Sequence, residues 1–101
     1  MEKIFEWNQE KNQKLMKERG ISFEAIVASL EEDGLLATID GKGKYSHQKQ
    51  LIVAVSQYVY IVPCVEDEIK IFLKTIIPSR KLTRHYLFGG PEGSGGKDEE
   101  I

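Results

Sequence analysis

Scarcity bounds this chain first. Of its 101 residues only Cys64 is a cysteine, so no intramolecular disulfide can form and no cysteine cluster can hold a metal. It lies in an apolar run and reads as a small buried hydrophobe, with no histidine nearby to activate it as a nucleophile. The only histidines, His47 and His85, stand 38 positions apart, which argues against a catalytic zinc site. No phosphate-binding glycine loop, nucleophile elbow or carboxylate pair is present, leaving little support for a small-molecule enzyme. Residues 1–6 lack the apolar core of a signal peptide, and no apolar run reaches the ~20 residues that span a membrane. The expectation is a cytoplasmic protein with no membrane partner.

What is present is enough for one small domain. Hydrophobic residues make up 41% of the chain, sufficient for a modest core. The net charge of -2 conceals an uneven distribution. Residues 88–101 are glycine-rich and carry Glu92, Asp98, Glu99 and Glu100 against Lys97 alone, the composition of a disordered acidic tail. That places the folded domain at residues 1–87. Within it, residues 41–87 hold eight basic groups against Glu66, Asp67 and Glu68, a balance that suits a phosphate-bearing partner and equally a well-solvated mixed surface.

The local patterns alternate between helix and strand. Phe5 and Trp7 alternate as on a short strand, Asn8 can cap a helix over residues 9–19, and Gly20 can end it in the left-handed conformation. Ser22 can cap a second helix whose apolar stripe is Phe23, Ile26, Val27 and Leu30, with Gly34 closing it. Strands are expected over 35–39, 51–55 and 58–62, the last two joined by a Ser56-Gln57 hairpin, and Pro63 puts the third at an edge or a bulge. A long strand over 69–77 would set Lys70, Phe72 and Lys74 on one face and Ile69, Ile71, Leu73 and Ile77 on the other. Ser79 then caps a short basic helix. The fold class is α+β: an N-terminal strand and two helices packed on an antiparallel sheet of about four strands, followed by a short C-terminal helix.

The opening Phe5, Trp7, Asn8, Lys11 and Asn12, then Gly20, Ile21, Ser22, Phe23 and Glu24, resembles the BrnT family, RelE-like toxins of bacterial type II toxin–antitoxin systems. The family pattern is close to F-x-W-[DN]-x-x-K-N followed by K-H-G-[VI]-S-F-E. Residues 76–84, Ile-Ile-Pro-Ser-Arg-Lys-Leu-Thr-Arg, are similar to the stretch entering the family's last helix. The resemblance spans residues 4–86. Arg19 stands where the family usually has histidine, the serine before Arg80 is shifted by one, and no acidic residue lies between Arg80 and Tyr86. The resemblance implies a RelE-like fold and a metal-independent ribonuclease that cleaves mRNA and inhibits translation, with no cofactor. It also implies an antitoxin partner, a DNA-binding ribbon-helix-helix protein, in a hetero-oligomer. The alternative is a RelE-like binding module without catalysis.

Cleavage of this kind needs a base for the ribose 2′-hydroxyl, cations for the phosphorane and an acid for the leaving oxygen. The candidates for that chemistry are Arg80, Arg84, His47 and His85. Arg80 and Arg84, four apart on a helix, could grip one phosphate. Lys42, Lys44, Lys49, Lys70, Lys74 and Lys81 are candidates for RNA binding. Each has a plainer reading: a salt bridge or cap for the arginines, a surface or packed imidazole for the histidines, a solvated turn for Lys42, Lys44 and Lys49. Trp7 reads most simply as core, with base stacking as its alternative.

Overall fold

Asn8 starts the first helix: its side chain accepts the Lys11 amide at 2.9 Å, and α1 runs Gln9–Arg19. Gly20, at φ 70°, ends it by donating its N–H to the Met16 carbonyl. Ser22 then accepts the Ala25 amide to open α2, Phe23–Leu30. These helix boundaries agree with the sequence pattern at three of four ends. The exception is the end of α2. The helix stops at Leu30, and the residue that turns left-handed is Asp33, at φ 72°. Gly34 is instead packed so closely on Ser29 that a Cβ there would collide with the serine hydroxyl.

The computed structural model describes residues 3–88. The acidic segment expected as a tail falls, from residue 89 on, outside the described residues. Strands β1 (Ile4–Glu6), β2 (Leu35–Asp40), β3 (Gln48–Val55), β4 (Tyr58–Glu66), β5 (Lys70–Leu73) and β6 (Ile77–Pro78) form one sheet, and α3 spans Arg80–Leu87. The sheet order is β1-β5-β4-β3-β2, with β6 also paired to β4. The α+β class holds, but the sheet has six strands rather than about four and is not wholly antiparallel. β1 joins β5 in parallel at one edge, a pairing that local pattern cannot reveal.

The expected long strand over 69–77 breaks in two. Leu73 pairs with Cys64 and Ile77 with Ile61, so four steps along this segment match three along β4. The extra residue falls opposite Pro63, whose carbonyl accepts the Lys74 amide at 2.8 Å. A strand residue's N and C=O point the same way, so the ladder is interrupted where proline has no donor to offer. β4 is therefore central, and the proline is accommodated by a bulge in its neighbour. The bulge also reverses the side chains: Ile76 is fully buried and Ile77 is exposed, the opposite of the simple alternation.

One face of the sheet carries the core. Leu51 and Val53, Val62 and Cys64, and Leu73 pack with Ile76 beneath Leu15, Ile21, Phe23 and Ile26 of the first two helices and their junction. Trp7 stacks on Phe23 with ring centroids 5.6 Å apart. The opposite face is covered at one end by α3. There Thr83 accepts the Val59 amide through Oγ1 at 2.8 Å and donates to the Ser79 carbonyl, while the Ser79 amide donates to Val59 O. The helix thus closes the stretch of β4 edge that β6 leaves open. Beyond it the second face is open, with Phe72, Val65, Ile39 and Ile77 exposed.

Candidate nucleic-acid interface

The α3 helix divides cleanly by side chain. Thr83 is buried, Leu82 and Leu87 are half-buried, and Arg80, Lys81, Arg84 and His85 are all exposed. Arg80 and Arg84 are one turn apart, as are Lys81 and His85, so the solvent face is a continuous basic strip. His85 meets Tyr86 edge-on at 4.9 Å. Among the described residues no carboxylate lies within ion-pair distance of Arg80, Lys81 or Arg84. Arg80 and Lys81 also occupy the first turn, where no acidic residue is present. A cation there opposes the helix dipole, at ~0.3–1 kcal/mol each. Arg84 and His85, in the last turn, lie where the dipole favours cations, so Arg80 and Lys81 are the pair set against it.

The remaining lysines divide into engaged and free. Lys49 bonds Glu66 at 2.8 Å and approaches Asp40 at 3.7 Å; Lys70 bonds Glu6 at 3.2 Å. Glu66 also receives Lys3 at 2.6 Å. The hydrogen bonds from Lys3 and Lys49 hold the Glu66 carboxyl below its ordinary range. The bond to Glu66 in turn raises Lys49. Lys49 and Lys70 therefore serve first as structural partners at the sheet rim. Lys42, Lys44 and Lys74 are exposed without an ion-pair partner among the described residues. Lys42 precedes and Lys44 lies within a short 3-10 turn at Gly43–Tyr45, and Lys44 lies 5.6 Å from the Tyr45 ring centroid.

His47 is not brought to this helix. Its carbonyl accepts the Glu66 amide at the far end of β4, whereas α3 is fastened to Val59. Those anchors lie seven steps apart along the strand, about 23 Å. His47 instead borders an open hollow with Lys3, Lys49, Glu66 and Asp67. Of the four catalytic candidates, Arg80, Arg84 and His85 share one helix and His47 stands apart. Trp7 is engaged with Phe23, and burial pushes the Cys64 thiol up, away from the reactive thiolate.

Two features escape a reading of the sequence. Glu66 sits in an acidic triplet that reads as a turn, yet it ties β1 and β3 to the end of β4. Gln48 and Gln50 open a strand whose apolar part begins only at Leu51, although their period-two spacing with Ile52 could have placed them on its face.

No protein-family model, curated protein or solved structure matches this chain.

Proposed function

We propose that this chain is the toxin of a type II toxin–antitoxin system, a BrnT-like protein of RelE-like fold that cleaves mRNA and so inhibits translation in the cytoplasm. The observation that carries the reading is the solvent face of α3. Three permanent cations and an imidazole are gathered there with no carboxylate partner among the described residues, two of them against the helix dipole. A phosphodiester placed against this face would supply the missing negative charge. Arg80 and Arg84 would hold its oxygens as charge grows in the transition state, with His85 as the proton-transfer group beside them. The uncovered apolar sheet face suits a cognate ribbon-helix-helix antitoxin whose extended segment would mask it in a hetero-oligomer.

The deciding experiment is induced expression in a bacterial host of the native chain and of Arg80→Ala and Arg84→Ala. Growth arrest by the native chain, relieved by the variants at equal soluble level, supports the proposal. One observation favours the second reading, a RelE-like module that binds without cleaving: the two histidines lie at opposite ends of the sheet, so α3 has a single imidazole. Specific RNA binding with neither arrest nor cleavage would establish that reading.

A further inference from the structure

The second sheet face contains a small hollow of about 190 Å³, separate from α3 and floored by β3 and β4. It is too small for a typical ligand pocket and of a size for one planar ring. Gln48 and Gln50 project to this face by strand alternation, in register with Val65 and Pro63 of β4. Neither amide has a hydrogen-bond partner among the described residues. Lys74, at the bulge, and Tyr45 both border the hollow. Tyr45 is exposed on a closed loop. Gly41 donates to the Gln48 carbonyl at 2.8 Å, closing the segment that carries Tyr45. A Cβ at Gly41 would strike the Tyr45 carbonyl, so that loop can pack down only on glycine.

We infer that this hollow seats one base of a single-stranded RNA, stacked on Tyr45, its edge read by Gln48 and Gln50 and its phosphate held by Lys74. The inference rests on the RNA-directed reading above and adds where a base would be recognised. Each part has the required chemistry. An exposed aromatic ring stacks on any base. A glutamine amide carries a donor and an acceptor side by side, matching a base edge. A lysine unpaired among the described residues supplies the phosphate contact, and Ile39 and Pro63 give the hollow an apolar lining against which a base can pack. Pro63 lies four residues along β4 from Val59, about 13 Å from the anchor of α3. The same strand of RNA can therefore reach both.

The test is fluorescence anisotropy of labelled octauridylate and octaadenylate titrated with the native chain, Tyr45→Ala, Gln50→Ala, Lys74→Ala and Arg84→Ala. These four side chains are exposed, so the variants should unfold at the native temperature, which is measured in parallel. Tyr45→Ala should weaken both oligonucleotides by about 5- to 150-fold. Gln50→Ala should change the ratio of the two affinities, and Lys74→Ala should lower the salt slope by about 0.7. Native-like binding by Tyr45→Ala and Gln50→Ala, with Arg84→Ala weakened, would overturn the seat and leave the α3 reading standing. Absence of RNA binding by the native chain would overturn both.

Discussion

Asn12 and Phe23 are joined across the break between the first two helices: the Phe23 amide donates to Asn12 Oδ1 at 2.7 Å. The same side chain donates through Nδ2 to Glu24 at 2.8 Å, and Asn12 is one of two buried polar residues of the described chain. With Trp7 stacked on Phe23, the residues Trp7, Asn12, Phe23 and Glu24 form one structural clamp. Their pattern specifies how α1 is set against α2. Replacing Asn12 by Leu should leave the Phe23 amide buried and unsatisfied, destabilising the fold by about 1–3 kcal/mol. Urea unfolding should show a lowered midpoint at unchanged slope.

The hairpin between β3 and β4 turns through Ser56 at φ 50° and Gln57 at φ 68°. Both central residues are left-handed, the geometry that Asn-Gly adopts most easily. The double change Ser56→Asn, Gln57→Gly should stabilise the protein by about 1 kcal/mol, raising the thermal midpoint by roughly 4–8 °C. A fall in midpoint would mean that the native turn makes contacts beyond its backbone.

Thr83 is the fastener of the last helix, accepting from Val59 and donating to Ser79. Thr83→Val preserves shape and removes both bonds, so a loss of about 1–3 kcal/mol is expected. Amide exchange should quicken first at Val59 and along α3, before the α1–α2 core opens. Uniform quickening would show that α3 is part of the global unit.

Acid should act through Glu66. Its folded-state carboxyl titrates below the ordinary value of 4.5 because Lys3 and Lys49 bond its charged form. The unfolded chain therefore takes up a proton first as pH falls. Stability is full above about pH 4.5 and is lost as pH drops through the folded value. Asp67, lowered by the Lys70 and Ile69 amides, acts in the same direction from its own ordinary value of 3.8. Glu66→Gln should flatten the stability–pH profile below pH 4.5, as read by thermal unfolding across that range. An unchanged slope would assign acid sensitivity to other carboxylates.

Binding of RNA by α3 should be strongly salt-dependent. Each of Arg80→Ala and Arg84→Ala should reduce the slope of log affinity against log salt by about 0.7 for a single strand. Lys14→Ala, on α1, should leave that slope as it is. Equal slopes for all three variants would remove α3 from the interface.

Much of the fold is local and was readable as such. Asn8, Gly20, Ser22, Ser56-Gln57 and Ser79 each act through hydrogen bonds or backbone preferences within a few residues, so the sequence alone determined both caps of α1, the start of α2, the hairpin and the start of α3. The basic strip of α3 follows from helical spacing for the same reason. What tertiary structure decided involves partners far apart along the chain. β1 finds β5 some 65 residues away and pairs in parallel. Pro63 shifts its defect onto residues 74–76 and thereby exchanges Ile77 for Ile76 in the core. Lys49 and Lys70 each meet a carboxylate, while Lys74 has no ion-pair partner among the described residues and His47 is carried away from α3. Side-chain period is fixed by the backbone, but which strand lies alongside, and which cation meets a carboxylate, is set only when the sheet closes around its core.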